Sequence, residues 1–246
     1  MNKTYALIFA IIITVLIAIN VSLFTGNVVK ETKSVKIIRI IDGDTLEIED
    51  KTKIRLLNIN APEKNTPHYK EARDYLSLYL NKTIDLEITT TDKYGRTLAR
   101  IYAPEYLNLE LVKRGLASKF LVDETEIKLF SEAEESAINS EKGIWKKSAY
   151  FNCLETFIDE IKEEVIITNN CNKLNISSWA IKDESRQLYR FKESSLTKIK
   201  LHSSIGKDNE TDIFWNSKTN IWNNDRDTLY IFDKDSNIVY FYSYGY

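Results

Sequence analysis

The chain has 246 residues, 43% of them hydrophobic and 28% charged, with a formal net charge of −2. These proportions exclude a disordered chain, and the balanced charge excludes a generally basic polyanion binder. The length suits one large or two small domains after any targeting segment.

The first element is apolar. Ala6 to Phe24 carries no charge after Lys3, and at about 1.5 Å per residue it is long enough to cross a hydrocarbon core of about 30 Å. Residues 1–28 are therefore expected to be an uncleaved signal anchor or transmembrane helix, in preference to a cleaved signal peptide with its shorter apolar core. Lys30 and Lys33 roughly balance Lys3 and the amino terminus, so the positive-inside rule is nearly neutral. The body is expected outside the cytoplasm, membrane-anchored, or secreted if the segment is cleaved. Residues 29–34 read as a tether.

Residues 35–150 form the next unit. Two apolar-rich runs flank Asp42-Gly43, a hairpin signal, and a third run follows at "KIRLLNI". Tyr69, Ala72, Tyr75, Leu76, Tyr79 and Leu80 recur at helical spacing. A second hairpin turns at Tyr94-Gly95. Two helices end the unit, the first with Asn108 as its expected N-cap and Gly115 as its stop, the second stopped by Gly143. Hairpin connections predict a mostly antiparallel sheet closed into a small barrel, with the helices packed against it.

Residues 151–162 read as a linker, and residues 163–246 as short strands separated by turn residues, the pattern of a β-sandwich. Cys153 and Cys171 could pair in an extracytoplasmic body. The alternative is two unpaired buried thiols. With no histidine nearby, the pair argues against zinc.

Three stretches concentrate chemistry at strand ends: "IDGDT" with Asp42 and Asp44, "IRLLNINAPE" with Arg55, Asn60 and Glu63, and "DKYGR" with Lys93, Tyr94 and Arg96. Oxygen ligands suit a hard cation such as Ca2+. Guanidinium forks suit the oxygens of a phosphodiester as they gain charge. A further carboxylate can orient or deprotonate a water. Each stretch alone is an ordinary turn, and only their joint occurrence in order points to a site.

With "LVKRGLA" and "EKGIW" following in order, residues 35–148 resemble the staphylococcal-type (thermonuclease) nucleases. The resemblance implies an OB-fold five-stranded barrel with three helices, and Ca2+-dependent cleavage of DNA and RNA. It implies metal ligation by Asp44, Asn60 and the Ala61 carbonyl, with Asp42 and Thr45 behind them. Glu63 would be the general base, Arg55 and Arg96 the phosphate clamps, and Lys93 and Tyr94 contacts to the substrate. Asn60 stands where the family prototype has Asp, which predicts weaker metal binding. Leu121 and Asp123 replace two tyrosines, which weakens nucleotide stacking.

The C-terminal block resembles a lamin-tail, immunoglobulin-like domain through "ISSWAIKDES", "YRF" and the run from Trp222 to Tyr244. That implies an attachment or recognition role. Trp179, Tyr189, Phe191, Trp222, Tyr230 and Phe232 are expected to pack its core. The resulting expectation is a membrane-tethered extracytoplasmic nuclease. Its rivals are a non-catalytic OB-fold nucleic-acid binder and an envelope attachment protein.

Overall fold

The structure is a computed structural model that describes residues 32–192 and 195–245. The expected membrane anchor, residues 1–28, lies outside the described residues. Among the described residues no helix is long and apolar enough to cross a membrane.

Five strands close a barrel in the order β1-β2-β3-β6-β5. They are β1 (Lys33–Ile40), β2 (Thr45–Ile48), β3 (Lys53–Leu56), β5 (Thr83–Thr91) and β6 (Thr97–Tyr102). β1 thus begins two residues inside the stretch read as a tether. All pairings described within it are antiparallel except β3 with β6. Val35, Ile37, Leu46, Ile54, Leu56, Leu86 and Ile101 fill the barrel. Two-residue β4 (Ile59–Asn60) leaves the barrel and pairs with β7 (Ser118–Lys119).

Three helices cover the barrel: α1 (Tyr69–Ser77), α2 (Leu107–Lys113) and α3 (Ile127–Asn139). Asn108 is not the cap of α2. The helix starts one residue earlier, and the Asn108 amide is buried as a strut. Its Nδ2 donates to the carbonyls of Leu57 (2.9 Å) and Ala99 (3.1 Å), and its Oδ1 accepts from the Ile101 N–H at 3.0 Å. Those barrel-edge groups gain more from an amide than the free helix end does, because a buried carbonyl left without a donor is costly.

The C-terminal part stacks two four-stranded sheets, β15-β14-β9-β8 and β12-β11-β16-β17, beside the short pair β10-β13. The strands are β8 (Leu154–Asp159), β9 (Glu164–Asn169), β10 (Leu174–Asn175), β11 (Ala180–Lys182), β12 (Leu188–Arg190), β13 (Ser195–Leu196), β14 (Lys198–His202), β15 (Asp212–Phe214), β16 (Asp227–Phe232) and β17 (Ile238–Tyr244). Half of the stretch read as a linker is therefore β8, paired along its length with β9. Cys153 and Cys171 form a disulfide with Cα atoms 5.2 Å apart, tying the start of β8 to the loop after β9.

The described residues from Ser34 onward form one compact unit. The join is the buried strand β16. Leu229 and Ile231 point into the sandwich core with Trp179, Phe191 and Trp222. Tyr230 and Phe232 point the other way and pack on Ala137, Ile144 and Trp145 of the barrel domain. They are not sandwich core, because alternate residues of a strand face opposite sides. Backbone bonds cross the same join, from the Ile238 N–H to the Lys146 carbonyl (2.7 Å) and from the Ser148 N–H to the Ile238 carbonyl (2.9 Å).

The disulfide closes a loop of 18 residues. Chain-entropy reasoning gives about 3 kcal/mol for a loop of that size. Replacing both cysteines by serine should lower the unfolding free energy by about 2–4 kcal/mol in denaturant titration.

Candidate active site

The site begins in the turn between β1 and β2. The Asp44 N–H donates to Asp42 Oδ1 at 3.1 Å, and the Ile41 and Asp42 N–H groups both donate to the Thr45 carbonyl. This tight turn needs Gly43. A Cβ there would lie 2.6 Å from the Ala72 Cβ of α1 and 2.7 Å from the Ala61 Cβ. The turn, the helix and the chain after β4 meet at a point with room only for hydrogen.

Asp44 gathers the site. Its Oδ1 accepts the Thr45 hydroxyl at 3.0 Å, and its Oδ2 accepts the Ala61 N–H at 2.7 Å. Arg55, buried on β3, reaches the same Oδ2 with Nη2 at 3.1 Å. That Nη2 also donates to Asn60 Oδ1 at 3.3 Å, and Nη1 donates to the Leu56 carbonyl at 2.6 Å. Asp42, Asp44, Thr45, Arg55, Asn60 and Ala61 are thus one network, assembled from β2, β3, β4 and the turn.

Glu63 follows Pro62 at the next corner, half-buried. Its main-chain carbonyl accepts from the N–H and the hydroxyl of Thr66. Burial first, then the neighbouring Asp44 carboxylate, and more weakly Glu63, push Asp42 up to about 7. The crowding of negative charge around Asp42 is what a nearby cation would relieve.

Among the described residues no group of three or more His, Cys, Asp or Glu side chains is arranged to hold a metal. The donors at hand are one carboxylate, one amide oxygen and one carbonyl, all hard oxygens of the kind a divalent cation such as Ca2+ accepts. This donor set fits such an ion.

Lys93, Tyr94 and Arg96 lie on the turn between β5 and β6. Asp92 organises it, accepting the Tyr94 and Arg96 N–H groups on Oδ1 and Arg96 Nε on Oδ2 at 2.7 Å. Burial alone would raise the Asp92 carboxyl, but these bonds hold it below the usual range. Lys93 and Arg96 both lie over the Tyr94 ring, at 5.2 and 5.5 Å, and Tyr94 is 72% exposed. The turn touches none of the Asp44 network through a described hydrogen bond. It is placed near it because Thr97 pairs with Ile54, next to Arg55.

Asp123 has a structural task. It pairs with Arg100, which also binds Glu87 at 3.0 Å and Glu126 at 2.7 Å. Leu121 is exposed beside it.

No motif in the chain marks the residues that the sandwich contributes. Asn60, Ala61, Pro62, Thr66 and Ser118 share a small pocket with Lys182, Glu184, Tyr230 and Phe232. Asn60 Nδ2 donates to the Glu184 main-chain carbonyl. Lys182 is buried with its ammonium 4.9 Å from the Tyr230 ring. Burial lowers its pKa, opposed by Asp183, Asp227, Glu184 and Glu63. A lysine amid apolar residues in "SSWAIKDES" is an unusual strand residue, but nothing local says which domain it faces.

Comparison with known proteins adds a family. A family model for staphylococcal nuclease homologues matches residues 53–147. The chain is 39% identical over 88 residues to an uncharacterized endonuclease of Escherichia coli, across 33% of this chain and 58% of that protein's length. It is 35% identical over 125 residues to a thermonuclease of Staphylococcus hyicus, across 45% of this chain and 74% of that protein. To a micrococcal nuclease of Shigella flexneri it is 29% identical over 126 residues, across 45% and 72%. The family match ends before the sandwich begins.

Gly43→Ala should test the close approach. Overpacking of this kind costs about 1–3 kcal/mol, and the loss should appear as a lower denaturation midpoint with an unchanged slope.

Proposed function

The chain belongs to the staphylococcal nuclease family, and from that premise we propose that it hydrolyses phosphodiester bonds of DNA and RNA with the help of Ca2+. The observation that carries this reading is the Arg55 guanidinium, held between Asp44 and Asn60 one corner away from Glu63. An arginine, hard oxygen donors and a half-buried carboxylate converge on one patch, which is the equipment for attack by water on a phosphodiester.

Asp44, Asn60 Oδ1 and the Ala61 carbonyl would hold the cation, which when bound supplies positive charge beside the phosphate. Asp42 steadies the turn by accepting the Asp44 N–H. Arg55 and Arg96 present N–H groups to the phosphate oxygens as negative charge grows there. Arg96 does so by sharing its guanidinium between Asp92 and substrate. Glu63 accepts the proton of the attacking water. Lys93 and Tyr94, exposed at the turn, contact a neighbouring phosphate or base.

Local charge supports the same reading. A cleft beside the Glu63 corner is lined by Lys64, His68 and Lys70 of the barrel domain and by Arg190 of the sandwich, with Glu71 as its acidic member. The two lysines and the arginine offer a polyanion attraction that the whole chain lacks.

The disulfide supports an extracytoplasmic location, and the apolar stretch from Ala6 to Phe24 supports a membrane tether. We read the C-terminal sandwich as a lamin-tail-like domain that contributes attachment or recognition.

The test is cleavage of DNA and RNA by the purified protein with Ca2+, with EDTA, and after Glu63→Gln. Chelation should abolish activity and Ca2+ should restore it. The variant should lose at least about 10²-fold in kcat while keeping its fold by circular dichroism. Cleavage at the full rate by Glu63→Gln overturns the role of Glu63, and cleavage unaffected by EDTA overturns the metal.

A further inference from the structure

Position 60 is the site's departure from the carboxylate that a metal ligand usually supplies, and the structure gives it two neighbours of opposite kind. Arg55 Nη2 can only donate, so it needs an acceptor. The Glu184 carbonyl, on the sandwich domain, can only accept, so it needs a donor. Asn60 satisfies both at once, with Oδ1 toward Arg55 and Nδ2 toward Glu184. Turning the amide over would set donor against donor and acceptor against acceptor, so its orientation follows from its partners.

An aspartate at this position would satisfy Arg55 but bring an oxygen against the Glu184 carbonyl. It would also share a pocket with Lys182, a buried ammonium that lies 4.9 Å from the Tyr230 ring and within the field of Asp183, Asp227, Glu184 and Glu63. A carboxylate placed beside a buried ammonium pairs with it. The charge that aspartate adds would then be taken by Lys182 and not by the cation.

We propose that the sandwich domain is a working part of the nuclease site: the Glu184 carbonyl and the Lys182 ammonium select an amide at position 60 and hold its oxygen toward Arg55 and Asp44. Lys182 and the Glu184 main chain are positioning groups that act through Asn60. The Asn is thus no simple weakening of the metal site. It is the side chain that lets a second domain close against that site. The inference rests on the proposed Ca2+ site.

The experiment is a cycle of Asn60→Asp, Lys182→Met and their combination in the full-length protein. Ca2+ binding is read by calorimetry and stability by thermal melting. Methionine keeps the volume of the lysine stem without its charge. In the wild-type background Asn60→Asp should change the Ca2+ dissociation constant by no more than about twofold. In the Lys182→Met background the same change should tighten it on the order of tenfold, because the added ligand charge is no longer captured. The double variant should also melt about 3 °C or more below Lys182→Met, since its carboxylate faces the Glu184 carbonyl.

Equal tightening in both backgrounds overturns the proposal, as does a double variant that melts with Lys182→Met. If the aspartate variants fail to fold, Asn60→Ala decides: it must lower the melting temperature by about 3 °C or more, and unchanged melting overturns the Glu184 contact. A wild type that binds no Ca2+ overturns the proposal with its site. Binding and melting need no turnover. A protein that gives the expected shifts and cleaves no nucleic acid therefore overturns the nuclease reading alone, and one that cleaves without these shifts overturns this inference alone.

Discussion

The structure depends on the double burial of one strand. All six residues of β16 are buried, which a strand achieves only when both faces of its sheet are covered at that point. One face closes the sandwich core and the other lays Tyr230 and Phe232 on the barrel domain. Backbone bonds between Lys146–Ser148 and Ile238 stitch the same line. The two domains therefore do not swing on a linker, and whatever stands beside β16 is fixed against the barrel.

What stands beside it is the site. β11 pairs with β16, with Lys182 opposite Tyr230. That register brings Lys182 and then Glu184 to the pocket lined by Asn60, Ala61 and Pro62. The apolar seam thereby sets polar geometry. A hydrogen bond to Asn60 from another domain holds only if the domain is held, and the packing of Trp145 against Tyr230 and Phe241 holds it. The Asp44 network has a similar dependence on packing. Its turn can approach α1 and Ala61 only because Gly43 carries no side chain.

Much of this was legible in the chain. Apolar-rich runs around turn residues marked the barrel strands, and Tyr69 to Ser77 kept helical spacing. Gly115 stopped its helix with φ 64° as a left-handed stop requires. Asp44, Arg55 and Asn60 were legible as a group because their motifs recur in a familiar order, and the network joins them. Asn108 misled, since its type suits a cap and only the neighbouring barrel edge shows the carbonyls it serves. Leu154–Asp159 misled as well, because a strand's partner can lie beyond a turn that composition marks only weakly.

Local pattern is enough to specify the barrel, the order of the chemical groups along it, and the presence of a second β-rich unit. These follow from local periodicity and from side-chain chemistry, which neighbours in sequence already express. Long-range packing is what turns Tyr230 and Phe232 outward from the sandwich, brings buried Lys182 to the pocket that Asn60 lines, and sets the Asn60 amide against Glu184, 124 residues away. A strand's pattern says which residues share a face. It does not say what covers that face, because the covering surface belongs to another part of the chain.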